Sequence, residues 1–193
     1  MFDYNGLTIG FHGCDETIAK DVVLGHADLK PSNNKYDWLG GGVYFWENDP
    51  VRAMEFAKER GFPKPCVVGA VLNLGYCLDL STRSGLERIK LVWENIVKPT
   101  YDNGNIQSNK AGKKIGENGE LMLRFLDCHV IEALHKYNED NHYAEFDSVR
   151  APFWEGTEIY PTAGFFTKTH IQLCVRNTDC ILGYFLPKNI MIP

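Results

Sequence analysis

The chain has 193 residues, of which 44% are hydrophobic and 23% are charged, and its formal net charge is −5. These values fit one globular domain over residues 1–193 and argue against a disordered, collagenous or coiled-coil protein. Because the net charge is negative, we expect no generally basic surface that neutralises phosphates. The net charge leaves open a local basic patch that contacts nucleic acid.

The cysteines and the N-terminal residues narrow the cellular setting. The cysteines form no CxxC pair and lie mostly in apolar runs, at positions 14, 66, 77, 128, 174 and 180. They predict reduced core thiols, with zinc or disulfides as the alternative. There is no apolar signal-peptide core and no stretch near the ~18 apolar residues of a membrane span. We therefore expect a cytoplasmic protein without membrane contact, and leave open export that needs no signal peptide.

The first predicted unit is a strand followed by a helix. Residues Leu7–Gly13 mix β-branched and aromatic side chains and end in glycine, which favours a strand carrying His12 near its end. Asp15 is a suitable N-cap, and apolar residues at helical spacing follow it until Gly25.

A loop rich in Pro, Ser, Asn and Lys, residues 30–37, leads to the second unit. Three glycines at 40–42 form a turn that feeds an aromatic strand ending at Trp46. Asp49-Pro50 then begins a helix that we expect to end at about Arg60.

The middle of the chain predicts one strand and two helices. The apolar run Cys66–Leu80 predicts a single strand at the centre of the sheet, bent or bulged at a glycine. Apolar residues at helical spacing predict helices over Ser84–Val97 and Asn118–Lys136. The polar stretch 101–119 between them predicts a surface loop.

The C-terminal part predicts strands and loops. A short strand at Asp147–Arg150 is followed by a loop rich in Gly, Pro and aromatic residues, 152–166. Strands at Thr169–Arg176 and Cys180–Leu186 are expected to pair as a hairpin around Asn177–Asp179. The predicted fold class is α+β.

Three segments carry residues that packing alone does not explain. They are His12-Gly13 at a strand end, the three glycines that lead into Tyr44-Phe45, and His170 with Gln172 on one face of a strand. Each segment has a purely structural alternative. His12 can be a hydrogen-bonded histidine at a strand end, the glycines can form a tight turn, and His170 with Gln172 can form a solvated strand edge.

In this order, the segments resemble the ADP-ribosyltransferase superfamily, particularly the histidine–tyrosine branch of diphtheria-toxin-like toxins and poly(ADP-ribose) polymerases. His12-Gly13 is similar to the family's His-Gly strand end, and Gly42-Val43-Tyr44-Phe45 to its Gly-x-Tyr-Phe strand. Gln172 falls where the family has its catalytic glutamate, and His170 at its substrate-selecting position. The resemblance implies an ADP-ribosyltransferase-like fold, with a mixed or antiparallel split β-sheet and flanking helices.

The resemblance also implies NAD as co-substrate and no metal. The implied cofactor-binding residues are His12, Gly13, Gly42, Tyr44, Phe45 and Phe56. Gly13 would offer its N–H and C=O to the nicotinamide amide, while Tyr44 stacks on the ring. Phe56 is the second stacking face or, alternatively, a core residue. His12 would bind the adenosine ribose.

The reaction that the resemblance implies breaks the bond between ribose C1′ and nicotinamide through an oxocarbenium-like transition state, which a carboxylate stabilises. Gln172 carries no charge, although its amide can bind a ribose hydroxyl. Glu155 and Glu158 are the alternative carboxylates, and an ordinary surface charge is the other interpretation of each. The implied catalytic set is His12, Tyr44, Gln172, Glu155 and Glu158, with His170 binding substrate. A salt bridge is favoured over pyrophosphate binding for Arg52 and Arg150.

These residues predict a mono-ADP-ribosyltransferase, a pentosyl-transferring enzyme that moves one ADP-ribose from NAD to a protein or a nucleic acid. The compact form suggests a toxin or defence effector, which would bring an antitoxin or immunity protein as a partner. Two alternatives remain: a catalytically weak module that binds NAD or ADP-ribose, and an RNA 2′-phosphotransferase-like enzyme. The acceptor is left open.

Overall fold

The computed structural model describes residues 6–111 and 121–188. The strands are β1 (Leu7–Asp15), β2 (Val43–Glu47), β3 (Pro65–Asn73), β4 (Cys77–Asp79), β5 (Ser148–Phe153), β6 (His170–Val175) and β7 (Ile181–Phe185). The helices are α1 (Glu16–Val23), α2 (Pro50–Glu59), α3 (Arg83–Val92), α4 (Lys98–Asp102) and α5 (Phe125–Asp140). The strands form one seven-stranded sheet in the order β4-β5-β6-β2-β1-β3-β7, in which only β4 and β5 run parallel. The α+β class, with a mixed sheet and flanking helices, is confirmed.

Local signals in the sequence place the two front units correctly. The Asp15 carboxylate accepts a hydrogen bond from the N–H of Thr17 at the start of α1. The Asp49 carboxylate does the same for Arg52 at the start of α2, with Pro50 in the first turn. Both helices therefore begin where capping chemistry predicts.

The predicted single strand over Cys66–Leu80 is wrong. The chain breaks at Gly75, whose φ of +58° ends β3 before β4 begins. The Asp147 carboxylate accepts from the N–H of Tyr76 at 2.8 Å, and the Ser148 hydroxyl donates to the carbonyl of Leu74 at 2.6 Å. These bonds draw the chain to the far edge of the sheet beside β5. Consequently β2, not this segment, is the central strand.

The predicted C-terminal hairpin is also wrong. Strand β6 already has a neighbour on each side, β2 and β5, so neither edge is left for β7. A 3₁₀ turn at Thr178–Cys180 instead leads the chain across the sheet, where β7 pairs with β3.

The helical segments follow the prediction in part. Helix α3 continues through a π-helical turn at Trp93–Val97 into α4. Helix α5 begins at Phe125, later than predicted, because the Asn109 side chain accepts from the first-turn N–H groups of Leu126 and Asp127. The part of the predicted loop and helix that falls on residues 112–120 lies outside the described residues.

The structure also bears on the predicted reduced thiols and on the expected absence of a membrane span. All six cysteines are free thiols and five are buried, as expected for core residues. Across residues 6–111 and 121–188, no helix is long and apolar enough to cross a membrane.

Candidate active site

The sheet opens between its two middle strands. Strands β1 and β2 pair only at Gly10–Glu47 and Phe11–Trp46. Beyond Phe11, β1 pairs with β3 alone, and before Trp46, β2 pairs with β6 alone. The resulting gap, which we call the fork, is bordered by the C-terminal half of β1 and the N-terminal half of β2.

Gly13 directs its backbone groups into the fork. Backbone N–H and C=O groups alternate in direction along a strand, and the carbonyl of Ile9 accepts from Asn48 on the β2 side at 2.9 Å. Gly13, four residues further, therefore points its N–H and C=O to the same side. A Cβ on Gly13 would overlap the carbonyl oxygen of Ala53 and lie 3.2 Å from the N of Ala57. The missing side chain thus allows α2 to pack directly on β1.

His12 connects the two sides of the fork. Its Nδ1 donates to the carbonyl of Tyr44 at 2.7 Å, in place of a backbone ladder bond. Burial lowers the pKa of His12 below 6.5, and the bond to Tyr44 opposes this shift. The ring is therefore neutral near pH 7, and its Nε2 has no hydrogen-bond partner within the described part of the chain. The Phe45 ring lies 6.0 Å away and is fully buried in the core.

The phenol of Tyr44 is committed to the glycine turn. Its hydroxyl donates to the carbonyl of Gly40 at 2.6 Å and accepts from the N–H of Leu39 at 2.8 Å. Burial raises the pKa of Tyr44 well above its ordinary value of 10. The hydroxyl is thus a structural group, and the half-buried ring is the part that can meet a ligand.

Two further contacts fix the glycine turn. The Glu132 carboxylate on α5 accepts from the N–H of Gly41 at 2.7 Å and from Arg176 at 2.9 Å. At Gly42, a Cβ would lie 2.6 Å from the Cys174 sulfur, so only glycine fits against β6 there. The glycine segment is therefore a clamped turn.

A group of buried polar and aromatic side chains lies beside the fork, on the sheet face that α2 covers. We call it the Arg52 cluster; its members are Trp46, Arg52, Glu155, His170 and Gln172. The first four are 4% to 7% exposed. Strand register puts Gln172 directly opposite Trp46, and the guanidinium of Arg52 lies 5.7 Å from the Trp46 ring centroid. The cluster thus joins β2, β6, α2 and the loop between β5 and β6.

An ion pair lies at the centre of the cluster. Arg52 Nη2 contacts Glu155 Oε2 at 3.0 Å, and the same oxygen lies 3.4 Å from His170 Nδ1. His170 Nδ1 donates to the carbonyl of Lys168 at 2.8 Å, which leaves a lone pair on Nε2. Burial is the largest cause of a lowered pKa at His170, so this ring is also neutral near pH 7.

Five side-chain atoms of the cluster are buried without a hydrogen-bond partner in the described part of the chain. Three are donors, Trp46 Nε1 and Arg52 Nε and Nη1, and two are acceptors, His170 Nε2 and Gln172 Oε1. Buried polar atoms are nearly always paired in folded proteins, because leaving one unpaired costs about 1–3 kcal/mol. Their concentration at one place is typical of a site that binds a small polar ligand.

The remaining predicted residues take other places. Phe56 packs on Trp46, with ring centroids 4.9 Å apart, so its observed aromatic partner is not Tyr44. Glu158 is exposed, and its carboxylate accepts from the N–H of Thr162 at 2.8 Å. Arg150 forms the favoured salt bridges, to Glu47 at 2.6 Å and to Asp79 at 3.1 Å.

Trp46 was not predicted as a binding residue, although it lies two residues after Tyr44, so that strand alternation alone puts it on the same face. Arg52 forms the favoured salt bridge. The identity of its partner, Glu155, was not predicted, because the contact spans 103 residues.

Comparison with known proteins adds no assignment. No family model, no curated protein and no solved structure matches the chain. Within the described ranges, no group of three or more His, Cys, Asp or Glu residues is arranged to hold a metal ion. The fold and the site geometry are therefore the basis for a function.

Proposed function

We propose that this protein is an ADP-ribosyltransferase that binds NAD at the fork and transfers one ADP-ribose to a macromolecule. The observation that carries the proposal is the fork itself. His12 spans it, and Gly13 directs a donor and an acceptor into it, which are the groups that a nicotinamide amide needs. These are the residues for which the sequence resembles the histidine–tyrosine branch.

The strand order supports the same proposal. The segments with His12, Tyr44 and Gln172 lie far apart in the sequence, but their strands β1, β2 and β6 are direct neighbours. A dinucleotide at the fork would therefore have the His12 side of the sheet at one end and the Arg52 cluster near the other. This is the arrangement expected if the adenosine ribose meets His12 and the nicotinamide ribose meets Gln172.

The proposed reaction breaks the bond between ribose C1′ and the nicotinamide nitrogen. Nicotinamide leaves with the electron pair, the acceptor nucleophile bonds to C1′, and the nucleophile's proton is released to solvent. The unpaired amide oxygen of Gln172 suits a ribose hydroxyl, which can donate to it. Since the family ties chain elongation to the glutamate whose position Gln172 takes, we propose transfer of a single ADP-ribose rather than chain elongation.

The loop between β5 and β6, residues 154–169, is the proposed acceptor surface. Its two arms pair through Thr167 N to Thr157 O at 2.9 Å and Ile159 N to Phe165 O at 3.1 Å. Large apolar side chains on it are more than half exposed, namely Trp154, Ile159, Tyr160 and Phe165. Such exposure is typical of a surface that contacts another macromolecule. A role as a toxin or defence effector, in the cytoplasm and with an immunity partner, belongs to this proposal.

Labelled NAD tests the proposal. The protein is incubated with NAD labelled in the adenosine part and a cell lysate, and the product is treated with protease or nuclease. We expect label in macromolecular material, and the enzyme that removes it identifies the acceptor class. Binding of NAD without nicotinamide release would instead favour the binding module. Nicotinamide release that requires an RNA 2′-phosphate, with that phosphate recovered on ADP-ribose and no label left in macromolecular material, would favour the phosphotransferase and contradict the proposal.

A further inference from the structure

We infer that Glu155 supplies the carboxylate of this site and that Arg52 positions it. This inference rests on the proposed function and identifies the charged group that Gln172 cannot provide.

The geometry distinguishes the two oxygens of Glu155. Oε2 is held by Arg52 at 3.0 Å and faces His170 at 3.4 Å. Oε1 makes no hydrogen bond within the part of the chain that the structure describes. One oxygen is therefore anchored and the other is available to a ligand, in a side chain that is 6% exposed. A carboxylate held in this way keeps its position and acts strongly on a nearby positive charge, because little water screens it.

Other carboxylates near the fork are committed elsewhere. Glu47 follows Trp46 and therefore lies on the opposite face of β2, where it pairs with Arg150. Asp49 caps α2. Glu158 is exposed and holds its own loop through Thr162. Glu55 and Glu59 also lie near Arg52, but their side chains are 35% and 51% exposed. Among these carboxylates, Glu155 is thus the one that the fold buries in the Arg52 cluster.

Arg52 is placed to act through Glu155. Its side chain is 8% exposed, its Nη2 contacts Glu155, and its Nη1 lies 3.9 Å from both Glu55 and Glu59. The backbone of Arg52 is fixed by the cap of α2. Arg52 therefore ties the start of the 154–169 loop to α2 and sets the direction of the carboxylate.

The unpaired atoms around Glu155 fit a ribose. Each hydroxyl of a vicinal diol can donate to one acceptor and accept from one donor, and the cluster offers Gln172 Oε1 and His170 Nε2 as acceptors and Trp46 Nε1 as a donor. As nicotinamide leaves with the electron pair of the C1′–N bond, positive charge develops on this ribose. Glu155 stabilises that charge, with no proton transfer in the step.

Glu155→Gln is the first test. The change keeps the size of the side chain and removes its charge, so we expect nicotinamide release to lose about 10²–10³-fold in kcat while the NAD Kd changes by less than about threefold. The matched control is Glu145→Gln, which alters an exposed glutamate on another loop. Its kcat should equal that of the wild type.

A structural effect must be separated from a chemical one, because Glu155→Gln leaves the buried Arg52 charge unpaired. The double variant Arg52→Met/Glu155→Gln removes both charges and should recover the thermal unfolding midpoint. If Glu155 only balances Arg52, the double variant also recovers turnover, which overturns the inference. We expect it to stay at least about 100-fold below the wild type in kcat.

Substitutions of Arg52 should change kcat and the NAD Kd in a way that identifies a positioning role. Arg52→Met should lower kcat and leave the NAD Kd unchanged, and Arg52→Lys should recover part of kcat because it restores a cation beside Glu155. A rise in NAD Kd with unchanged kcat would instead make Arg52 a ligand-binding residue and overturn its positioning role.

The outcomes separate the two levels of the proposal. Wild-type turnover that Glu155→Gln leaves intact overturns the assignment of Glu155 alone. Loss in Glu158→Gln with full activity in Glu155→Gln assigns the carboxylate to the other glutamate. No NAD binding and no nicotinamide release by the wild-type protein overturns the proposed function and the inference together.

Discussion

A glycine at position 13 can serve two purposes: it lets a ligand approach the fork, or it lets helix α2 pack closely on β1. The substitution Gly13→Ala distinguishes the two. The added Cβ would overlap the Ala53 carbonyl oxygen and lie 3.1 Å from its carbon, and both atoms belong to the backbone of α2. Backbone cannot turn aside as a side chain can, so α2 must move away by roughly 1 Å or β1 must bend. Overpacking of this kind costs about 1–3 kcal/mol, which for a chain of this size lowers the melting temperature by about 2–12 °C.

Urea unfolding and calorimetry without NAD measure this effect. The matched control is Gly183→Ala in β7, where an added Cβ meets no atom within 4 Å; it should change the free energy of unfolding by less than about 0.5 kcal/mol. A Gly13→Ala protein as stable as the Gly183→Ala protein would refute the packing argument. If its stability is kept and NAD binding is lost, the glycine serves only the ligand.

Three further changes test the surroundings of the site. Tyr44→Phe removes the hydroxyl that joins Leu39 to Gly40, so urea unfolding should show a loss of about 1–3 kcal/mol, against almost none for the exposed Tyr36→Phe; equal stabilities would contradict the hydrogen bonds. Glu132→Gln weakens the hydrogen bond that Gly41 donates, so the free energy of unfolding should fall by about 1 kcal/mol at low salt. The same substitution should cause no such fall in a protein in which Arg176 is also replaced. Burial lowers the pKa of His135 from 6.5 to about 3, so the unfolded chain takes up a proton that the native chain does not. His135 should therefore account for about 2 kcal/mol of the fall in stability between pH 7.5 and pH 5, beside contributions of the same sign from His12 and His170. The fall should be smaller by this amount in His135→Gln; parallel pH profiles would exclude this histidine as a cause.

Residues whose signals are local allowed much of this fold to be predicted. Asp15 and Pro50 mark the starts of α1 and α2 through capping chemistry that acts within one turn. The errors fall where a distant contact decides the outcome. Asp147 and Ser148 redirect the chain at Gly75, and no local pattern near residue 75 encodes them.

The site residues also divide into those that local sequence patterns predict and those that a distant contact determines. Strand alternation predicts that His170 and Gln172 share a face, and the structure has both in the Arg52 cluster. The pairing of Arg52 with Glu155 depends on how α2 and the 154–169 loop meet across the sheet. From the sequence alone, Glu155 and Glu158 are therefore equivalent candidates, whereas burial in the structure distinguishes them.

The most direct test of the account is nicotinamide release from NAD, measured by chromatography for the wild-type protein and for His12→Ala at equal concentrations. His12 makes one hydrogen bond across the fork, so its loss should lower stability by only about 1 kcal/mol and leave the variant folded. We predict release by the wild type and none above background by folded His12→Ala. Equal release by both proteins, or wild-type protein that neither binds nor cleaves NAD, would contradict it.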